Sequence, residues 1–401
     1  MAYLDGIKSI EELELANQRV FIRVDFNVPL DKEQQITDDE RIRAAIPTIQ
    51  YAIEAGAKVI LASHLGRPKG KVAPEYSLEP CGARLAELMK VEVHMPDDCI
   101  GDAPRKVIQD LRAGQVCLLE NLRFHAEEEE NEEGFIKELG ELCDVYVSDA
   151  FGAVHRAHAS TAGLPRIKSE RGMGFLVKRE IASLARVVDS PARPFVAVLG
   201  GAKVADKIEV IESLMQKCDA ICIGGAMANT LLAAQGHKLQ ASRVESDWLA
   251  RGRTLLEQAR DRKVDILLPK DVVVATSLEA QSGKTVSVGS IPADHMALDV
   301  GPETLELFGA RIAKAQTIFW NGPMGLFENP AFASGTQGIA QRVADAAAFS
   351  VVGGGDSAAA VRQAGEELAS KIDHISTGGG ASLELIEGKK LPGIEALRSA
   401  G

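Results

Sequence analysis

Short runs of β-branched and other apolar residues alternate along the chain with longer segments whose apolar residues recur at helical spacing. This rhythm predicts parallel strands joined by right-handed helical crossovers, as in doubly wound α/β sheets. The runs of the first half are VFIRVDFNV, VILASHLGR, VCLLENLRF and VYVSDAFGAVHR, and those of the second half are FVAVLGGAKV, AICIGGAMAN, TIFWNGPMGLF, FSVVGGGDSA and HISTGGGASL. The first set ends in polar or basic residues, whereas the second set runs into glycine. Because ligands of open parallel sheets bind beyond the carboxyl ends of the strands, the two kinds of end predict two different ligands.

The division of the chain into domains follows from its length and from one helical pattern. A length of 401 residues exceeds the roughly 100 to 200 residues of a common domain, which favours two domains. The segment GMGFLVKREIASLARVV has apolar residues at helical spacing and no internal proline. We predict an N-terminal domain over 1–172, a connecting helix over 173–190 and a C-terminal nucleotide-binding domain over 191–385. We interpret the acidic run at 127–130 as a solvated loop and helix start.

Composition narrows the function class. Hydrophobic residues make up 46% of the chain and charged residues 25%, the balance of a packed globular protein. A net charge of -12 argues against nucleic-acid binding and against binding to anionic membranes, since both need a positive surface. The start of the chain has neither a signal-peptide nor a transit-peptide pattern, and no run approaches the ~20 apolar residues of a membrane span. We therefore expect a cytoplasmic protein with reduced, buried thiols at Cys81, Cys99, Cys117, Cys143, Cys218 and Cys222.

Basic side chains lie mostly at or just past the predicted strand ends of the first half: Arg23, Arg41, His64, Arg67, Arg123 and Arg156. Any one of them alone is more often a surface charge or a structural histidine. Their repetition at strand ends predicts a pocket for a small ligand with several negative charges, because the arginine fork matches phosphate and carboxylate oxygens. Asp25 and Asn27 are positioned to bind hydroxyl groups of that ligand.

Glycines follow the strands of the second half, most densely at 353–355 and 378–380. A single glycine pair is more often a packing turn, but the repetition favours loops whose N–H groups approach phosphate oxygens. Asp356 directly follows one such loop and suits Mg²⁺, which commonly bridges a carboxylate and nucleotide phosphates. Lys203 and Lys207 follow another glycine pair, at 200–201, and supply positive charge there.

Two functions other than phosphate transfer are considered as alternatives, after one apparent nucleotide-binding motif is excluded. The tripeptide at 283–285 resembles the end of a Walker A loop, but position 278 is Leu and TVSV reads as a strand, so it is not a P-loop. Gly353, Gly355 and Ala358 match the loose dinucleotide pattern G-x-G-x-x-A, which makes a nicotinamide-dependent dehydrogenase one rival. The following strand ends in HISTGGG and offers no acidic residue for a ribose. A hinge-closing binding protein for an anionic metabolite is the non-enzymatic rival.

Taken in order, these strand ends resemble those of phosphoglycerate kinases over nearly the whole chain. The segments that carry the resemblance are RVDFNVPL, RIRAAIPTI, SHLGRP, LLENLRF, DAFGAVHRAHAS, LGGAKVADKI, GGAMANT, WNGPMGLFE, VVGGGDSAAA and STGGGASLELIEGKKLP. The resemblance implies two doubly wound, Rossmann-like domains that face each other across a hinged cleft, with residues 386–401 returning to the N-terminal domain. Departures are small: Val154 stands where a small or hydroxyl residue is more frequent, and Ser357 where threonine is frequent.

The resemblance also implies an activity and a set of site residues. The expected enzyme is a glycolytic, monomeric phosphoglycerate kinase (EC 2.7.2.3) that transfers a phosphoryl group between 1,3-bisphosphoglycerate and Mg-ADP. It would hold 3-phosphoglycerate or the bisphosphate through Arg23, Asp25, Phe26, Asn27, Arg41, His64, Leu65, Gly66, Arg67, Arg123 and Arg156. It would hold ADP or ATP through Gly201, Lys203, Lys207, Gly225, Asn321, Pro323, Glu328, Gly354, Gly355, Asp356 and Ser357, with Asp356 facing Mg²⁺. Arg41, Lys203, Gly378 and Gly379 would act on the transferred group.

Overall fold

The predicted strands form two six-stranded parallel sheets in the computed structural model, which describes residues 4–398. The chain divides into two units. The first holds the residues up to Ala182 and those from Lys390 onward, and the second holds Ser183–Lys389. The predicted fold class, two doubly wound α/β sheets, is confirmed.

The sheet of the first unit is completely parallel. Its strands are β1 (Arg19–Val24), β2 (Lys58–Ala62), β3 (Val93–His94), β4 (Val116–Leu118), β5 (Val145–Asp149) and β6 (Glu170–Met173). Their order is β3-β4-β2-β1-β5-β6. In the centre, Val20 pairs with Val59 on one side and with Val145 on the other. Strand β6 has the sequence ERGM and no apolar run, so its pattern does not predict a strand.

Helices follow the strands of this unit. They are α1 (Glu40–Glu54), α2 (Glu79–Met89), α3 (Asp102–Asp110), α4 (Ala126–Glu130), α5 (Glu133–Glu141) and α6 (Leu164–Ile167). Helix α1 shows why they form: Ile42, Ala45 and Ile49 recur at helical spacing and are buried in the hydrophobic core beneath the sheet.

Helix α7 (Phe175–Val188) carries the chain from the first unit into the second and lies within the helix predicted over 173–190. Its first turn is held by Asp149 at the end of β5. The Asp149 carboxylate accepts hydrogen bonds from the backbone N–H of Leu176 at 2.9 Å and of Val177 at 3.3 Å. These bonds satisfy N–H groups that a helix start leaves without an intrahelical partner.

The second unit contains a parallel sheet and a small antiparallel one. Its strands are β7 (Phe195–Leu199), β8 (Ala220–Ile223), β9 (Asp265–Leu267), β10 (Asp271–Ala275), β11 (Lys284–Ser287), β12 (Met296–Val300), β13 (Thr317–Asn321), β14 (Phe349–Gly353) and β15 (His374–Ile375). The parallel sheet has the order β15-β14-β13-β7-β8-β9, and the antiparallel sheet has the order β11-β10-β12. Strand β11 begins at Lys284, which agrees with reading this stretch as a strand rather than as a P-loop.

The helices of the second unit are α8 (Ile208–Leu214), α9 (Gly225–Ala234), α10 (Leu249–Asp261), α11 (Pro302–Ile312), α12 (Ser334–Asp345), α13 (Gly355–Gln363), α14 (Glu366–Ala369) and α15 (Gly380–Ile386). The short helix α16 (Pro392–Glu395) belongs to the first unit, where Gly393 N donates to the carbonyl of Val154 at 2.8 Å. All six cysteines are free and buried, as predicted. Among residues 4–398, no helix combines the length and apolar character needed to cross a bilayer.

Candidate active site

In the first unit, charged residues from separate segments of the chain meet at the carboxyl end of β1. Arg23 is 1% exposed, and its Nη2 lies 3.2 Å from Nδ1 of His64, which follows β2. Asp25, just past β1, forms an ion pair with Arg41 of α1. Side chains from three segments are thus fixed in one place, as the shared carboxyl edge of a parallel sheet requires.

The charged side chains of this group, together with their burial, shift the pKa values of Asp25 and His64. Burial alone would raise the pKa of Asp25, but the charges of Arg41 and Arg23 hold that pKa below its usual value. Burial, reinforced by the nearby arginines, lowers the pKa of His64 well below its usual value in spite of Asp25. The imidazole is therefore neutral at neutral pH, and the fixed positive charge comes from the arginines.

A hydrogen-bonded loop continues the site beyond β2. Asn27 Oδ1 accepts a hydrogen bond from Gly66 N at 2.9 Å, and Arg123 Nη1 donates to the carbonyl of Gly66 at 2.9 Å. Arg123 is only 6% exposed, and its Nε lies 3.1 Å from Glu129 Oε1. Asn121, which sequence reasoning did not select, anchors the loop by donating to the carbonyl of Leu65 at 2.8 Å.

The remaining residues of this unit that were predicted to bind the acid substrate are either buried or exposed. The side chains of Phe26 and Leu65 lie in the hydrophobic core, so only their main chain is left for a ligand. Arg67 and Arg156 are exposed. Burial is the main cause that lowers the pKa of nearby His158 to about 3, and the charges of Arg123, Arg23 and Arg156 lower it further.

The interpretation of residues 127–130 as a solvated segment is wrong at one position. Glu128 in α4 is fully buried, whereas its three neighbours in the run are exposed. Its carboxylate accepts hydrogen bonds from Ser160 N at 2.9 Å and from Ser160 Oγ at 2.6 Å. Nothing in a run of four glutamates distinguishes the one that faces inward, because the helix is too short for its apolar face to be recognised.

In the second unit, two neighbouring cavities lie at the strand ends. Their volumes are about 340 and 470 Å³. The smaller cavity includes, among its lining residues, Gly201, Lys203, Lys207, Asn321, Pro323, Gly354, Gly355, Asp356, Ser357 and Gly379. The larger cavity shares Gly201, Pro323 and Asp356 and adds Gly225 and Glu328. Every residue that the resemblance assigned to the nucleotide therefore lines one of two adjoining cavities.

The smaller cavity has the chemistry of a phosphate site. Gly354 precedes the start of α13, where unpaired N–H groups and the positive end of the helix dipole favour an anion. Asp356 lies in the first turn of α13 and is exposed. Asn321 and Ser357 are buried and brace the loop: Asn321 Nδ2 donates to the carbonyl of Gly353 at 2.8 Å, and Gly322 N donates to Ser357 Oγ at 2.5 Å.

The two lysines of the smaller cavity differ in mobility. Lys203 is exposed, with no hydrogen bond or ion pair to the described residues. Lys207 is held by two carbonyls, those of Gly200 at 2.6 Å and Asn321 at 3.1 Å. Burial lowers the pKa of Lys207 to about 8, although Asp356 and Asp206 oppose the shift. Lys207 is thus a fixed positive charge, and Lys203 is free to follow a moving group.

The larger cavity is mainly apolar, and sequence reasoning missed most of its wall. The antiparallel strands and the loop after β13 supply Val272, Met296, Leu298 and Leu326. Such a wall suits a flat, largely apolar ring with few polar contacts. The clue in the sequence was the apolar run in each of β10 and β12, which does not reveal the face that borders a ligand.

Gly378 and Gly379 occupy different positions. Gly379 lines the smaller cavity at the start of α15. Gly378 is buried outside that lining, and its N–H donates to Ser376 Oγ at 3.1 Å.

A buried arginine group in one unit and a phosphate-suited cavity in the other define the class as a two-domain α/β phosphotransferase. The sequence model of one family, described as Phosphoglycerate kinase, matches residues 10–389. The chain belongs to the phosphoglycerate kinase family and is an enzyme.

Individual relatives agree with the family assignment. A phosphoglycerate kinase of Anaeromyxobacter sp. (strain Fw109-5) is 58% identical over 395 residues, covering 98% of this chain and 99% of the relative. A phosphoglycerate kinase of Anaeromyxobacter dehalogenans (strain 2CP-1) is 57% identical over 396 residues, which cover 98% of this chain and 99% of the relative. The solved structure of phosphoglycerate kinase from Coxiella burnetii has a TM-score of 0.87 and 42% identity, with 98% of each chain covered. Neither the dehydrogenase nor the binding-protein rival is supported by these likenesses.

Proposed function

We propose that this enzyme transfers a phosphoryl group reversibly between 1,3-bisphosphoglycerate and Mg-ADP, giving 3-phosphoglycerate and Mg-ATP, as a step of glycolysis. The observation that carries the proposal is the gathering of all the expected nucleotide residues around two adjoining cavities. The buried arginine group of the other unit complements it as a site for a small, multiply charged acid.

The chemistry of the proposed reaction needs no general base. In the direction of ATP consumption, an oxygen of the 3-phosphoglycerate carboxylate bonds to the γ-phosphorus, and the bond from that phosphorus to the bridging oxygen of ADP breaks. The electron pair of the broken bond stays on ADP. Because a carboxyl group with a pKa of roughly 3.5 is already ionised near neutrality, no proton has to be removed. Catalysis then consists of in-line positioning and charge neutralisation.

The first unit would bind the acid substrate. Arg23 and Arg123 are fixed by hydrogen bonds and would bind its phosphate or carboxylate oxygens. Arg41, paired with Asp25 and partly exposed, would neutralise charge on the transferred group. Asn27, whose carboxamide oxygen orients the Gly66 loop, would bind through its remaining N–H groups.

The second unit would bind the nucleotide. The apolar larger cavity would take the adenosine, and the smaller cavity would take the phosphates. Lys203 would follow the transferred group because no residue within 4–398 holds its ammonium group by a hydrogen bond or ion pair. The donor set fits Mg²⁺, since an exposed Asp356 carboxylate borders the phosphate cavity and Mg²⁺ commonly takes one carboxylate together with phosphates and waters. Bound there, Mg²⁺ would neutralise phosphate charge.

Two ligands bound to different units react only if the units bring them together. We therefore include closure of a cleft in the proposal, with α7 as the hinge because the chain passes between the units within it. Closure would also exclude water that hydrolyses acyl phosphates.

The proposal includes a cytoplasmic monomer that acts on small molecules and does not bind nucleic acid or membranes. The buried, free cysteines suit a reducing compartment, and the net charge of -12 disfavours anionic polymers and surfaces.

The decisive test is an assay of the purified protein with 3-phosphoglycerate, ATP and Mg²⁺, coupled to NADH oxidation through an added dehydrogenase. We expect turnover only when all three components are present. Binding of both ligands without turnover would refute the proposed reaction and favour a binding role.

A further inference from the structure

A buried carboxylate in the first unit takes no part in the substrate contacts proposed above. Glu128 has no exposed surface, although it belongs to an acidic run whose other members are exposed. Burying an ionised carboxylate is costly unless hydrogen bonds and a nearby opposite charge compensate for it. The neighbours of Glu128 therefore indicate what holds it there.

Ser160 connects Glu128 to the substrate site. Ser160 Oγ donates to Glu128 Oε1 at 2.6 Å, and Arg23 Nε donates to that same hydroxyl oxygen at 2.7 Å. Ser160 N adds a second bond to the carboxylate at 2.9 Å. Ser160 lies in a π-helical turn, Ala159–Gly163, a rare conformation that is frequent at functional sites. The result is a directed chain from the guanidinium through the hydroxyl to the carboxylate.

This chain fixes the orientation of the Arg23 guanidinium. Nη1 donates to the carbonyl of Val24, and Nη2 lies 3.2 Å from His64 Nδ1. A guanidinium has five N–H donors, so three contacts leave two donors for a ligand. The Nε contact with Ser160 determines the plane in which those donors lie.

The charges of Glu128 and Arg23 also favour each other. Burial raises the pKa of Glu128, and the charge of Arg23 opposes that rise. Arg23 is itself buried near the cationic Arg123, and Glu128 brings the opposite charge close to both guanidinium groups.

We propose that Glu128 is a positioning residue that acts through Ser160 to hold Arg23 ready for the anionic group of the acid substrate. This inference rests on the proposed function and extends it to a residue that no substrate atom touches.

The experiment compares Glu128→Gln with Glu130→Gln, an equal charge change at an exposed position of the same helix. For Glu128→Gln we expect the KM for 3-phosphoglycerate to rise about tenfold, as for loss of a charge-assisted contact, with the KM for ATP unchanged. Glu130→Gln should match the native protein in both constants. Equal increases in both KM values for Glu128→Gln, or a lower urea midpoint with unchanged KM values, would show a purely structural role and overturn the proposal.

Ser160→Ala tests the connection and serves if Glu128→Gln does not fold. It should raise the KM for 3-phosphoglycerate alone, and the double variant should show less than the product of the two single effects, because residues acting in one chain are not additive. An unchanged KM in Ser160→Ala, or full additivity, would overturn the proposal. A native protein without turnover would instead refute the proposed function itself.

Discussion

Gly225, at the start of α9, should tolerate no side chain, and its replacement should damage the nucleotide site directly. Its φ is +66°, and a Cβ at this position would lie 2.6 Å from Gly201 N and 2.7 Å from Gly201 O. Both atoms belong to main chain, so the contact cannot be relieved by rotating a side chain. Gly201 lines both cavities, and any relief must move it.

The magnitude for Gly225→Ala has two parts. The left-handed conformation costs an L-residue about 1–2 kcal/mol. Displacing Gly201 also weakens its hydrogen bonds to Pro323 O and from Met227 N, each 3.0 Å long, at about 1 kcal/mol each. We therefore expect the free energy of unfolding to fall by about 3–4 kcal/mol and the KM for ATP to rise about tenfold or more.

Gly236→Ala is the matched control. Gly236 has a φ of +98°, but a Cβ there would meet nothing within 4 Å. It should lose about 1–2 kcal/mol of stability to strain and keep its KM for ATP. Steady-state kinetics at saturating 3-phosphoglycerate and urea unfolding of both variants measure these quantities. A Gly225→Ala protein with the same KM for ATP as Gly236→Ala would refute the reasoning.

Three further predictions concern charged groups. Lys203→Ala should lower kcat about a hundredfold or more with little change in KM, as for an interaction made mainly in the transition state; a large KM change with normal kcat, seen in steady-state kinetics, would be incompatible with that role. Because the pKa of Lys207 is lowered to about 8, the KM for ATP should rise as the pH increases above about 8, whereas Lys207→Met should have a raised KM that is independent of pH there; identical pH profiles of KM would contradict the requirement for this charge. Burial raises the pKa of Asp149 to about 7. The native state therefore binds more protons than the unfolded state between about pH 4 and 7. The contribution of this group to the free energy of unfolding is lost as the pH rises through that window. Asp149→Asn should remove that part of the pH dependence of the urea midpoint, and an unchanged dependence would show that Asp149 does not titrate there.

Much of the architecture was predictable because the signal is local. A buried parallel strand needs a nearly continuous apolar run, and its end is marked by the polar residue or glycine that follows the run, as in β2, which is followed by Ser63, and β7, which is followed by Gly200. Strand β6 and the short β3 carry no such run and were not found. The antiparallel sheet that walls the larger cavity was missed as a sheet, since pairing between distant strands is not a local property.

The sequence by itself determined the class of fold, the two kinds of strand end and the residue types gathered there. Only the tertiary structure decided which of those residues are held and which are free. Lys203 and Lys207 are four positions apart and chemically identical, yet only Lys207 is bound to two carbonyls. Glu128 is indistinguishable from its neighbours in the sequence, but packing against Ser160 turns it inward. Burial and hydrogen bonding depend on segments far apart along the chain, and these set the protonation and mobility on which the chemistry depends.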